Sequence, residues 1–369
     1  MTYRLSGDQT RMLRLRAQRL IPQDARTSAG VARVVSDVCG VQAQDLPAAR
    51  LSIRARSAGL TTAQVEEERQ EKRSIAWTWC MRGTLHLVSA EDAAWLVPFL
   101  GPELIAADRR RMSQLGWDEE LTAAGIRLLI EALAKGGGLT RQEIIRLLEA
   151  NDLPSEGQAP VHLLYRAALE GRLCAGPDRG KKPTYMRFVD WLGKLKPLPR
   201  PEALAKIARR YLAAYAPARP EDLASWSGLK LGEARKAWKL IDGELVEVEV
   251  AGQPAWMLKT MLPWLDELTC DPPLVRLLPR YDTYLLGYAD RELVVDPAYA
   301  KRIHPGGGVV NPVLLVDGRA LGTWKTQRQK NRLEVTVWPF ADLPGDLQPL
   351  IEAEVADLRR FLGEETIYG

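Results

Sequence analysis

The sequence is poor in the residues that most often carry chemistry. Four cysteines and three histidines are spread through 369 residues. Cys39, Cys80, Cys174 and Cys270 form no CxxC pair, and His86, His162 and His304 stand equally far apart. A zinc site therefore has no ligand spacing to support it, and neither a metal nor another cofactor is expected. No apolar run approaches the roughly 20 residues of a membrane span. The opening "MTYRLSGDQTRMLRLRAQRL" lacks the apolar stretch of a signal peptide. Cytoplasmic residence is the expectation, and in that compartment disulfides are not. "HPGGGVV", at 304–310, reads as a flexible turn; no Lys-Ser/Thr follows it, so it is not a phosphate loop. Phenylalanine is scarce too, four against eleven tryptophans, and core filling is the default use for most of the indoles.

What is present is arginine. The net charge is only +4, but residues 1–60 hold ten arginines, four aspartates and no lysine. Residues 301–332 hold seven lysines or arginines against the single Asp317. Arginine without lysine suits bidentate contacts to phosphate, as on a nucleic-acid backbone. A merely solvated basic face is the alternative.

The pattern of elements is α+β and mainly helical. "RPEDLASWSGL" places Pro220 at a helix start and Gly228 at its end. "LGEARKAWKLIDG" follows with Leu231, Ala234, Trp238 and Ile241 on one stripe. "ELVEVEV" and "AWMLK" then alternate as strands about "AGQP". Helix, turn, helix and ribbon make a winged helix-turn-helix. "LTRQEIIRLLEAN", with a capping box from Thr140 to Glu143, "APVHLLYRAALEG" and the strands "RLCAG" and "TYMRFV" repeat that order around a basic tip, "PDRGKKP". A third unit ends in "SIAWTWCM" and "GTLHLVS". The expected divisions are 1–100, 101–198 and 199–265 for three tandem winged units. A C-terminal α+β segment, 266–369, follows with "KTQRQKN" as a hairpin tip.

One short stretch, "GVQAQDLPAAR", sits between two predicted helices. Val31, Val34, Val35 and Val38 form the buried stripe of the first, and Gly40 is placed to end it with a positive φ. Pro47 opens the second and disfavours helix at Leu46. Residues 41–46 are therefore extended, which turns Gln42 and Gln44 to one side and Val41, Ala43 and Asp45 to the other. In a helix the two amides would lie about 200° apart. Two co-facing amides can hold a base edge or a water molecule; satisfying local backbone groups is the more ordinary use.

"VQAQD", followed by "WTWCMRGTLHLVSAEDAAWL" and later by "LPRYDTYLLGYADR" and "LLVDGRALGTWK", resembles the winged-helix DNA glycosylase family typified by AlkZ and YcaQ. The likeness covers nearly the whole chain and falls in the Gln-x-Gln branch. It implies three tandem winged helices around a basic concave surface. The implied activity is a monofunctional glycosylase that excises alkylated purines and unhooks interstrand crosslinks. Gln42 and Gln44 fall on the catalytic pair. Asp45 and His86 are secondary candidates for catalytic support. Asp45 is the stronger base but is expected on the opposite face. Arg82, Thr84 and His86 are expected along one strand face, while a hydrogen-bonded structural role is open for His86. Arg11, Arg14, Arg54, Arg56 and Arg82 are expected DNA contacts, with Lys325, Arg328 and Lys330 on a hairpin that reaches a groove. Expected partners are double-stranded DNA carrying alkylated or crosslinked purines, with the chain monomeric, nucleoid-associated and away from membranes. A winged-helix transcriptional regulator and a non-catalytic damage binder are the competing readings.

Overall fold

The computed structural model describes residues 3–21, 29–267, 273–329, 332–364 and 366–368. Compactness divides the chain into two units, Met1–Val65 with Leu204–Gly369, and Glu66–Ala203. Element order in the sequence suggests boundaries at 100, 198 and 265 instead. The two partitions differ because the first helices pack with the C-terminal strands. Among the described residues no helix is long and apolar enough to cross a membrane.

The first unit opens with α1 (Gly7–Ala17), α2 (Val31–Asp37) and α3 (Leu46–Arg54). Ser6 and Gln9 close a capping box at the start of α1. Further along, the helices Pro220–Ser227 and Leu231–Leu240 and the strands Leu245–Val250 and Gln253–Leu258 make the expected winged helix. Pro220 lies in the first turn, and Gly228 stops the helix at φ 85°. The ribbon reverses through Ala251 and Gly252, with φ of 49° and 74°, the double left-handed turn that matches strand twist. A third strand, Tyr3–Leu5, pairs parallel to Leu245–Val250; the sequence carries no strong sign of it.

The C-terminal sheet of this unit runs in the order Val275–Leu278, Val313–Val316, Arg319–Gln329, Arg332–Pro339, Thr366–Tyr368. Successive side chains take opposite faces. Leu277, Leu314, Trp324 and Val335 pack on Ile351 and Leu358 of the helix Gln348–Leu362. Leu278, Val313 and Leu315 pack instead with Met12 and Leu15 of α1. This second core ties the N-terminal helices to a sheet more than 250 residues away in sequence.

The unit Glu66–Ala203 contains the helices Ala90–Gln114, Glu119–Ala134, Arg141–Glu149 and Ala159–Leu169. Its strands run in the order Leu85–Ser89, Ile75–Trp79, Leu173–Ala175, Thr184–Arg187, Leu139–Thr140. The capping box of Thr140 and Glu143 is formed as expected. Leu129, Ile144, Leu148 and Leu163 build the core under it. Trp79 stacks on Tyr185 and meets Tyr165 edge-on, so this indole is a core anchor. Arg82 departs from expectation: the strand begins at Leu85, and Arg82 lies before it in a tight turn at φ 54°.

Candidate active site

The approach to the glutamine pair is fixed from outside α2. Arg210 donates to the Ser36 carbonyl at 2.6 Å, and the Tyr215 hydroxyl donates to the Val38 carbonyl at 3.1 Å. These contacts satisfy acceptors that a helix end leaves open. Cys39 (φ 54°) and Gly40 (φ 102°) then turn the chain. The glycine is the expected left-handed residue; the cysteine beside it is a second one that the sequence does not announce.

Beyond the turn Val41 and Gln42 are extended. The Gln42 amide nitrogen donates to the Gln44 carbonyl oxygen at 2.9 Å, so the two side chains do share one side of the backbone. Val41 and Ala43 are fully buried. Gln42 is only 7% exposed, whereas Gln44 is open to solvent. A buried amide thus holds an exposed one in place. An amide oxygen that accepts one hydrogen bond has a second lone pair to offer, and Gln44 is the exposed member of the pair.

Asp45 follows at the start of α3. Its Oδ1 accepts from the Ala48 amide at 3.1 Å, capping α3, and its Oδ2 faces Arg280 Nη1 at 3.5 Å. An aspartate cap stabilises a helix by about 1 kcal/mol. It also sets the direction in which the loop carrying Gln42 and Gln44 enters α3.

Two buried arginines hold the far end of that helix. Arg54 donates to the Leu277 carbonyl (2.8 Å), Glu354 (2.9 Å) and Asp357 (3.0 Å). Burial pulls its pKa down, Glu354 and Asp357 pull it up, and the net movement is upward. Arg56 grips Asp282 with both terminal nitrogens, at 2.7 and 2.8 Å, and also meets Ser52, Gln18 and Thr283. Closer to the N-terminus, Arg14 donates twice to the Pro217 carbonyl and lies 3.6 Å over the Tyr288 ring. Arg11 binds the Asp317 carbonyl and Asp8. All four arginines are buried, at 1–5% exposure. This corrects the expectation that Arg11, Arg14, Arg54 and Arg56 meet DNA. A buried cation already bonded to carbonyls and carboxylates of its own chain is a poor partner for a phosphate.

Of the hairpin cations, Lys325 and Arg328 are exposed. Lys325 Nζ lies 4.8 Å over the exposed Trp338 ring, and Arg328 pairs with Glu364. Lys330 lies outside the described residues. His86 is in the unit Glu66–Ala203. It is buried, and its Nδ1–H donates to the Thr84 carbonyl at 2.9 Å. Burial, then the charge of Arg82, lowers its pKa to about 3, so the imidazole is neutral at physiological pH.

Arg280, within the quoted "LPRYDTYLLGYADR" but not among the expected site residues, lies against Asp45. Its guanidinium meets Asp45 and the Tyr281 hydroxyl (3.2 Å), and lies 4.8 Å over the Tyr281 ring. Tyr281 itself has φ 59°, a conformation that bulky residues seldom take without a reason. A cation at a strand end, two residues before a capping aspartate, is the signal that could have drawn attention to it.

Residues 35–361 match the family described as DNA glycosylase AlkZ-like. A Streptomyces sahachiroi protein named interstrand DNA cross-link repair glycosylase is 32% identical over 364 residues, spanning 92% of this chain and 93% of that protein. The solved structure of the Streptomyces sahachiroi DNA glycosylase AlkZ superposes with a TM-score of 0.81 at 27% identity, covering 99% of this chain and 100% of that one. The chain belongs to the AlkZ-like family of DNA glycosylases and is a DNA N-glycosylase.

Proposed function

We propose that this glycosylase hydrolyses the N-glycosidic bond of purines alkylated at N7 or N3, including those joined in interstrand crosslinks. In this reading Gln44, braced by Gln42, holds the attacking water. The observation that carries the reading is the amide pair itself. One member is buried and donates, and the other accepts and is exposed to solvent. The relative named for interstrand crosslink repair supports the crosslinked substrate.

The chemistry needs little more than such a pair. Alkylation at N7 or N3 leaves the base cationic. As the bond from the sugar carbon C1′ to the base nitrogen breaks, its electron pair neutralises the base, and positive charge passes to the sugar, as in glycoside hydrolysis. No acid is required for that leaving group. Water adds to C1′, and its proton leaves to solvent. The Gln44 oxygen accepts a hydrogen bond from the water and turns a lone pair of the water towards C1′, while amide dipoles favour the growing positive charge. Neutral amides are weak bases, so unmodified purines, with poor leaving groups, are spared. Asp45 serves as the cap of α3 and not as the base.

The test uses three duplexes, carrying N7-methylguanine, a nitrogen-mustard crosslink or no lesion, each treated with alkali after incubation to break abasic sites. Breaks in the first two and none in the third are expected. Cleavage of unmodified purines, or failure on both lesions, would refute the reading.

A further inference from the structure

We infer that Arg280 is a positioning residue that grips a backbone phosphate of the damaged strand beside the glutamine pair, and that Asp45 parks it there in the free protein. The inference rests on the reading of Gln42 and Gln44 given above.

Place comes first. Asp45 directly follows Gln44, and consecutive Cα atoms are about 3.8 Å apart. A guanidinium held at Asp45 is therefore anchored one residue along the chain from Gln44, at the start of α3. Its position is built in from both ends of α3. Asp45 caps the first turn of that helix. Ser52 and Arg56, on and just past its last turns, are bonded to the buried carboxylate of Asp282, two residues after Arg280. The Tyr281 amide is tied to the Val310 carbonyl at 3.4 Å. The left-handed backbone of Tyr281 is the local cost of aiming Arg280 in this direction, and such residues cluster where a site demands them.

The bonding of Arg280 is that of a group held ready. Its side chain is 41% exposed, and its ion pair with Asp45 is monodentate at 3.5 Å. That contrasts with Arg56, fully buried and bidentate on Asp282. Exposed ion pairs of such length contribute little to stability, whereas a guanidinium binds a phosphate through two parallel charge-assisted hydrogen bonds. The Tyr281 ring under the cation and the Tyr281 hydroxyl keep its plane oriented when Asp45 is exchanged for phosphate. Among the described residues Arg280 is the half-buried arginine that ion-pairs with the residue next to Gln44.

Single-turnover cleavage of an N7-methylguanine duplex, with enzyme in excess, separates grip from chemistry. For Arg280→Ala the half-saturating enzyme concentration should rise about tenfold, with the plateau rate changed less than threefold. The slope of log affinity against log salt should fall in magnitude by about one. Arg280→Lys, which keeps the charge, should recover the salt slope and part of the affinity. Replacing the phosphates that flank the lesion by neutral methylphosphonates should weaken binding by the wild-type enzyme and not further weaken Arg280→Ala. Asp45→Asn retains a capping side chain and frees Arg280, so its half-saturation should fall about twofold. An unchanged salt slope in Arg280→Ala, an equal methylphosphonate penalty in both proteins, or half-saturation in Asp45→Asn that does not fall would overturn the inference. The neutral-phosphate arm on wild-type enzyme needs no variant to fold. A Gln44→Ala enzyme that still cleaves would refute the glutamine reading, and that outcome is read on the plateau rate, separately from the grip.

Discussion

Arg56 and Asp282 form a bidentate pair, at 2.7 and 2.8 Å, in which neither side chain reaches solvent. The pair joins the end of α3 to the turn that carries Arg280, so it orders the site without facing it. Removing one partner strands a buried charge, which costs about 3–5 kcal/mol. Arg56→Leu is therefore expected to lower the thermal midpoint by many degrees. A DNA-contacting arginine would behave otherwise, with a lower salt slope and little change in melting. Thermal unfolding beside salt-dependent binding tells the two apart.

The hairpin carries the opposite expectation. Lys325 is exposed, and its ammonium rests over the exposed Trp338. Lys325→Ala should weaken binding to damaged and undamaged duplex alike and reduce the salt slope by about one, with stability unchanged to within about 0.5 kcal/mol. Fluorescence anisotropy at several salt concentrations is the measurement. A loss confined to damaged DNA would contradict a plain phosphate contact.

His86 gives a pH signature in stability. Its folded pKa, about 3, lies below the ordinary histidine value of about 6.5. Between those values the unfolded chain binds the extra proton and the folded chain does not. Stability from this group is therefore intact above about pH 6.5 and drains as pH falls towards 3. His86→Gln should flatten that part of the denaturation profile. An equally steep profile in the variant would assign the acid loss to other groups.

Local chemistry made much of the fold legible in the sequence. The Thr140–Glu143 box, Pro220 and Gly228 act within one helix turn, and each sits where its neighbours in sequence require. Gly40 belongs to this class, as does the alternation that brings Gln42 and Gln44 together. The arginines do not. Whether a cation meets solvent or a carboxylate depends on chain far away: Arg54 finds Glu354, and Arg56 finds Asp282. A local surplus of positive charge thus read as a DNA surface when much of it is internal bonding. Arg280 was hidden for the same reason, since its partner Asp45 lies 235 positions earlier. The parallel strand Tyr3–Leu5 takes its partner at 248–250, again beyond any local pattern.

The most direct measurement is the single-turnover plateau rate of Gln44→Ala and Gln42→Ala on a duplex with one N7-methylguanine, with DNA affinity determined in parallel. Loss of the exposed amide should slow cleavage by about 10²-fold or more, in the range found when one preorganised polar group is removed from an active site. Loss of its buried brace should slow it by roughly tenfold, since the exposed amide remains but is less well held. Affinity should change less than threefold in both. Wild-type rates in Gln44→Ala with intact binding would contradict the account.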